Sequence, residues 1–377
     1  MNCAVSTDIT NCLHCRIKFR LVFSLPRAQI LYSFWFLTHI NSGFGKLNNI
    51  PLSSKISRAF AQFLPLSYFK KAPGIIIVDV TNSCNLRCPV CPVTFAMTRT
   101  RGLMKLEVFR QIVDDFKGAS EKPAMYFNFS GEPTINEHLP DLVAYASENG
   151  HHTFLSTNAT KLTEEMAERL IKAGLDRVNL CMDGFSKEAQ ESYRVRSDFD
   201  EVKSNIEMFL ATRKRLGAEN PFCVLQTLLT SYSEHQVDEI TEWAQGAGFD
   251  RVRFKTFSLG SYTSEEEKQK YGHFLPTREE YTRHPTGVER ALCRTPLSQT
   301  VVFWNGDLGL CCIDYDQMIQ LPNIEEQGFM NAYHSKEALR ARKNGFLKNF
   351  EVCKGCSYGN AESLGFKVDL RKKSDAA

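Results

Sequence analysis

The chain has 377 residues, enough to bury a large core and to carry one large domain plus a smaller one. Its composition, 43% hydrophobic and 24% charged, is that of an ordinary globular protein, and a net charge of +3 is too small to argue for nucleic acid or an anionic membrane as partner. Thirteen cysteines in so long a chain argue against a short secreted disulfide scaffold and for metal ligation in a reducing compartment, so a cytoplasmic location is expected.

Residues 1–73 read as an N-terminal extension of uncertain role. Within it, 16–40 (RIKFRLVFSLPRAQILYSFWFLTHI) begins basic and turns apolar. Pro26, Arg27 and Gln29 interrupt that run, and the clean part from Ile30 to Ile40 is too short to span a bilayer. Three readings stay open: a helical extension packed on the core, an interfacial helix giving membrane-surface association, or an upstream stretch outside the working protein. Cys3, Cys12 and Cys15 lie here, and Cys12-x2-Cys15 without a second pair is a weak metal signal.

From residue 74 to 257 the pattern becomes regular. Apolar or β-branched runs at 75–81, 125–129, 153–156, 177–182, 222–229 and 251–257 alternate with helical patterns at 105–117, 139–149, 162–174, 199–216 and 234–247. The helix at 162–174 carries its own start and stop signs, Thr163 before Glu164 and Glu165, and Gly174 at the end. Six strands alternating with helices predict an α/β fold with a parallel sheet and outer helices. Ligands of such sheets sit in the loops after the carboxyl ends of the strands. Residues 258–292 are polar and turn-rich and read as a connector. Residues 293–362 contain a hairpin signal at Asn305-Gly306, and 363–377 read as a solvated tail.

The first strand leads directly into VTNSCNLRCPVCP, which places Cys84, Cys88 and Cys91 in one loop. A structural zinc site closes with four ligands. Three thiolates on a four-iron cluster leave one iron open to an outside ligand, and Pro89 and Pro92 stiffen a loop that has no histidine. The spacing Cys-x3-Cys-x2-Cys after a first strand resembles the signature of the radical S-adenosylmethionine enzymes. The resemblance covers roughly residues 74–257 and implies a partial (β/α)6 TIM-like barrel. It also implies a [4Fe-4S] cluster whose open iron binds the amino and carboxylate groups of S-adenosylmethionine. A one-electron donor such as flavodoxin or ferredoxin would reduce the cluster, and a 5′-deoxyadenosyl radical would take hydrogen from substrate.

Further segments resemble the same family. Ser130-Gly131-Glu132-Pro133 is similar to its GGEP segment, where Gly131 would let backbone approach the methionyl group and Glu132 would accept from its ammonium. Ser156-Thr157-Asn158 is similar to the segment lying against the cofactor. Cys181-Met182-Asp183-Gly184 is similar to S-x-D-G, with Asp183 placed for ribose hydroxyls, and Arg194 matches an arginine that reaches the cofactor carboxylate. The departures are Val90 at a usually aromatic place, Ser130 for glycine, Cys181 for serine and Arg196 for glycine. Singly these are a turn, a surface charge or a small core residue; together they follow successive strands in family order.

Cys293, Cys311, Cys353 and Cys356 form a second set, for which zinc fits equally on spacing alone. Beside a radical core they resemble the SPASM or twitch extension, in its shorter form, which implies one auxiliary [4Fe-4S] cluster. Cys312 reads as a bystander because adjacent strand residues face opposite ways, though it can exchange roles with Cys311. Cys223 reads as core. The resemblance implies a radical oxidoreductase that oxidises or epimerises a small polyol, sugar or aminocyclitol, with the auxiliary cluster as electron acceptor. The alternative is a SPASM-type peptide or protein maturase. A non-catalytic metal protein is opposed by the intact Glu132, Asn158, Asp183 and Arg194. Tyr126, His151, Lys255 and Tyr262 are acid–base candidates that the sequence does not rank.

Overall fold

Three isoleucines and a valine form β1 (Ile75–Val78), a run whose β-branched side chains favour extended backbone. It lies inside a mixed sheet, third from one edge. The structure, a computed structural model, describes residues 55–259, 264–283, 291–354, 356 and 365–371. Cys3, Cys12, Cys15, the 16–40 segment and Tyr262 lie outside these residues.

β2 (Ala124–Phe127), β3 (Thr153–Thr157), β4 (Arg177–Cys181), β5 (Phe222–Leu229) and β6 (Arg251–Thr256) follow, each parallel to the strand before it. One face, with Ile76, Val78, Phe127, Leu155, Val178 and Leu180, joins the main hydrophobic core beneath the helices. The other is the concave inner wall of a partial α/β barrel. There the register aligns Ile77, Tyr126, Phe154, Arg177 and Phe222 in one row across the strands.

The helices in chain order are α1 (Lys55–Ala61), α2 (Pro92–Phe95), α3 (Leu106–Asp114), α4 (Leu139–Glu148), α5 (Glu164–Lys172), α6 (Lys187–Tyr193), α7 (Phe199–Arg215), α8 (Val237–Ala247) and α9 (Glu265–Tyr271). The predicted start of α5 holds, since the Thr163 hydroxyl accepts from Met166 N. α3 buries Val108, Phe109, Ile112 and Val113, one stripe at helical spacing.

Three expectations change. The 258–292 connector contains α9, opened by a capping box between Ser264 and Glu267. Among the described residues the sheet has nine strands: the hairpin expected at Asn305-Gly306 forms, but it joins the six-stranded parallel sheet as two further strands. β7 (Gln299–Val302) pairs in parallel with β1, and β8 (Leu308–Gly309) turns back along β7. The expected solvated tail supplies β9 (Phe366–Asp369), antiparallel to β6, because the Phe366 ring stacks on Phe254 with centroids 4.8 Å apart.

The C-terminal region adds α10 (Thr295–Ser298), α11 (Ile324–Gln327), α12 (Phe329–His334) and α13 (Lys336–Phe346). Residues 55–70 pack on it. Lys343 Nζ donates to Leu64 O and Arg342 Nε to Phe69 O, over a cluster that includes Ala61, Phe69, Leu339 and Phe346. Among the described residues no helix is long and apolar enough to cross a membrane.

Candidate cluster and cofactor site

The cysteine loop leaves the carboxyl end of β1 and is pinned by its own polar residues. Thr81 Oγ1 donates to Gly102 O at 2.7 Å, and Asn82 Nδ2 donates to Thr100 O at 2.8 Å. The segment after β2 then locks against it, as Glu132 N donates to Ser83 O at 2.8 Å. Gly131 has φ +75°, and a Cβ there would stand 2.4 Å from Thr81 O and 2.5 Å from Ser83 O. The loop itself therefore supplies a sufficient reason for the glycine expected against a methionyl group.

Glu132 is buried and heavily bonded. Its Oε1 accepts from Thr134 N, Thr134 Oγ1 and Thr157 Oγ1, and its Oε2 from Asn158 N at 2.7 Å. Burial pushes its pKa up while these bonds oppose the shift. One acceptor position of Oε2 stays available to an outside donor such as an ammonium. Asn158 turns its Nδ2 toward Cys84 Sγ at 4.0 Å, while its Oδ1 accepts from Thr160 N and Oγ1.

Asp183 and Arg194, expected to contact different parts of a cofactor, meet each other. Arg194 Nε donates to Asp183 Oδ2, and Asp183 Oδ1 accepts from Leu228 N at 2.9 Å. Burial works against the Arg194 charge, yet Asp183 and the neighbouring Cys88 and Cys181 hold its pKa well above the usual value. Arg196 adopts φ +74°, the left-handed backbone that explains the glycine usual in this place. The same turn touches the cysteine loop through Arg87 N to Val195 O at 2.9 Å. Val90, at the usually aromatic position, is buried against Tyr193, Phe257 and Phe274, which fill the space from other elements.

Burial pushes the Cys88 thiol up to about 12, opposed by Arg194, and raises Cys84 and Cys91 as well. A pocket that disfavours lone thiolates is one in which bound iron must supply the compensating charge. Ser156 and Cys181 line the inner wall, their side chains 3.4 Å apart, and Tyr126 and Lys255 share that face. His151 does not: its Nδ1 bonds Pro123 O at 2.8 Å before the amino end of β2, and its ring packs edge-on against Phe116. That removes it from the acid–base candidates.

Sequence reading missed the buried pair Asp79–Arg99. Arg99 Nη1 and Nη2 donate to Asp79 Oδ2 at 3.1 and 3.0 Å, Nη2 reaches Ser130 Oγ, and the guanidinium lies 4.3 Å from the Phe303 ring centroid. The available signal was an aspartate inside the apolar run IIIVDV, since a buried carboxylate requires a partner.

The second thiol set converges too. Cys293, Cys311, Cys353 and Cys356 line one cavity of about 270 Å³, and Cys312, read as a bystander, lines it with them. Burial and the neighbouring Cys312, Cys293 and Cys353 raise the Cys311 pKa well above its usual value. A ring of thiols around a cavity suits a polynuclear cluster better than zinc. Cys293 precedes β7 and Cys311 follows β8, so this cavity lies where β1 and β7 begin, at the opposite end of the sheet from Cys84.

An open parallel barrel with a three-cysteine loop after its first strand, and a cysteine-ringed cavity at its far end, defines an iron–sulfur enzyme of the radical type. Residues 78–244 match the family model of the radical SAM superfamily, and residues 293–357 match that of SPASM, an iron–sulfur cluster-binding domain. The chain belongs to the radical S-adenosylmethionine superfamily, in its SPASM-containing group. It is similar to the tungsten-containing aldehyde ferredoxin oxidoreductase cofactor-modifying protein of Pyrococcus furiosus, 28% identical over 178 residues, 47% of this chain and 49% of that protein. A PqqA peptide cyclase of Granulibacter bethesdensis is 33% identical over 120 residues, 32% of this chain and 31% of the cyclase. These matches span at most about half of the length of either relative. Streptococcus suis SuiB bound to S-adenosylmethionine shares the fold with a TM-score of 0.55 at 15% identity, over 76% of this chain and 72% of that one.

Proposed function

We propose that the chain reductively cleaves S-adenosylmethionine at a [4Fe-4S] cluster held by Cys84, Cys88 and Cys91 and oxidises an alcohol carbon of a small polar substrate, with a second cluster held by Cys293, Cys311, Cys353 and Cys356. The observation that carries this reading is the placement of the two thiol sets at opposite ends of one sheet, with a polar inner wall between them. When bound, these groups supply the reducing electron, the 5′-deoxyadenosyl radical that takes the carbon-bound hydrogen, and an acceptor for the substrate's second electron.

The chain's own residues bind and orient. Arg194 balances the thiolates. The free side of Glu132 Oε2 and the Asn158 amide serve the methionyl end, Ser156 lies beside them, and Asp183 serves the ribose. Lys255, whose pKa is lowered by burial and by Arg253, takes the hydroxyl proton as the carbonyl forms. A one-electron donor protein of the flavodoxin or ferredoxin kind delivers the reducing electron.

A second reading, modification of a peptide, is favoured by the PqqA cyclase among the relatives and by the likeness to SuiB in its complex with the precursor peptide SuiA, at TM-score 0.53. Anaerobically reconstituted protein with dithionite should release 5′-deoxyadenosine from S-adenosylmethionine. Deuterium from a labelled polyol should then appear in it. No 5′-deoxyadenosine at all overturns both readings; stimulation by a peptide and not by a polyol favours the second.

A further inference from the structure

Among the described residues the inner wall of the barrel carries more cations than the acids beside them balance. Val178 and Leu180 face the helix layer, so Arg177, Asn179 and Cys181 face inward. The register sets Val224 beside Arg251, Gln226 beside Arg253 and Leu228 beside Lys255, so those three cations share the wall. Arg251 is accounted for, because it bonds Asp369 and lies 5.3 Å from the Phe222 ring centroid. Arg177 and Arg253 are not. Among the described residues neither forms an ion pair with a carboxylate, and the nearby inner-wall acids Asp79 and Asp183 are already committed to Arg99 and Arg194.

Arg177 carries the sharper imbalance. Its Nε is buried with no hydrogen-bond partner, while its guanidinium lies 5.4 Å from the Phe154 ring centroid. Burial and repulsion by Arg251 and Arg253 lower its pKa. On the same wall, Asn128 Oδ1 and Asn179 Oδ1 are buried acceptors without donors. An orphaned buried polar group is destabilising, so three on one wall point to a ligand that satisfies them. Arg177 Nε lacks an acceptor and the two amide oxygens lack donors. The complement is a molecule with an anionic group and nearby hydroxyl or amine hydrogens. Guanidinium groups match carboxylate and phosphate oxygens in bidentate geometry.

We propose that the inner wall binds a small substrate through a carboxylate or phosphate group held by Arg177 and Arg253, with hydroxyl or amine hydrogens of the same molecule directed at Asn128 and Asn179. This rests on the placement of substrate within the barrel in the function proposed above, and it narrows that substrate from a polar alcohol to an acidic one.

The test is calorimetric titration of inorganic phosphate, and separately of succinate, into the anaerobic cluster-loaded protein with S-adenosylmethionine at low ionic strength. One saturable site is expected for at least one anion, and the tighter of the two distinguishes a phosphate from a carboxylate. Arg177→Gln and Arg253→Gln should each weaken that binding about tenfold or more, and Arg253→Lys should restore part of it. Iron content and melting temperature establish that each variant is folded. No saturable binding by the wild-type chain, or wild-type affinity in either glutamine variant, overturns the proposal. 5′-Deoxyadenosine formation by the same wild-type preparation reports separately on the radical reading, so the two can fail independently.

Discussion

Asp316 clasps Thr98: its Oδ1 accepts from the Thr98 backbone N at 2.7 Å and its Oδ2 from the Thr98 hydroxyl at 2.6 Å. Arg99 N adds a third bond to Oδ1, Arg99 Nε reaches Tyr315 O, and Trp304 Nε1 donates to Thr100 O at 3.1 Å. The stretch of chain that leaves Cys91 is therefore strapped to the segment just past Cys312. Asp316→Ala removes two acceptor oxygens, and with them three hydrogen bonds, from a partly exposed site and should cost about 1–2 kcal/mol in denaturant unfolding. Because the strap restrains the cysteine loop, the variant should also surrender iron to a chelator faster than wild type, with Asp316→Asn in between. Equal release rates in all three would show that Arg99 alone fixes the loop.

Gly131 is the position where a single methyl group does most damage. Its φ of +75° disfavours any side chain, and the added Cβ would collide with backbone at Thr81 and Ser83, which cannot swing away as a flexible side chain would. Gly131→Ala should displace the cysteine loop and leave the far cavity untouched. Anaerobic reconstitution of the variant should then yield about half the wild-type iron and no 5′-deoxyadenosine. Full iron loading would mean the loop accommodates the methyl group by shifting as a unit.

Much of the site was legible because each piece follows a strand and carries a residue type with few alternative uses: Glu132 after β2, Asn158 after β3, Asp183 after β4. What the sequence hid depends on distant pairing. β7 joins β1 from the far side of the whole barrel, and nothing local in Gln299–Val302 says which strand it will meet. β9 offers only Phe366 and Val368 as alternate apolar residues, too short a period to separate from a tail. Arg99 lies in a loop, and nothing local to it names Asp79, twenty residues earlier, as its partner. Strand alternation separates Cys312 from Cys311 only while the strand lasts, and β8 ends at Gly309, so both thiols reach the cavity.

Asp250 ties β6 to the chain on either side, accepting from Arg213 Nη1, Cys223 N and Arg371 Nε, each at 2.6 Å. Burial pushes its pKa up, but the bonds from Arg371, Cys223 and Arg213 outweigh that and hold it below the usual carboxylate value. A depressed folded pKa means the unfolded chain binds the proton first. The stabilisation is thus present above about pH 3.9 and is lost as pH falls through the lower folded value. Asp250→Asn should lower the melting temperature at neutral pH and flatten the acid limb of the stability profile relative to wild type. An acid limb as steep as that of wild type would assign acid unfolding to other carboxylates.

Single cysteine variants separate the two ends of the sheet. Cys84→Ala removes one of only three thiols in its loop, so reconstituted iron should fall to that of one four-iron cluster and 5′-deoxyadenosine should disappear. Cys353→Ala should lose a similar amount of iron from the other end. Its expected phenotype differs, because radical generation does not use that cavity: 5′-deoxyadenosine should still form, without a matching amount of oxidised product, since the substrate's second electron then has no acceptor. Cys312→Ala sharpens the comparison, as its side chain lines the same cavity. Iron retained in that variant leaves the ligand set as Cys293, Cys311, Cys353 and Cys356, whereas iron lost gives Cys312 a place in it. Product formed at the wild-type ratio to 5′-deoxyadenosine by Cys353→Ala would make the second cluster a structural support and would move the reaction from oxidation toward a redox-neutral rearrangement such as epimerisation.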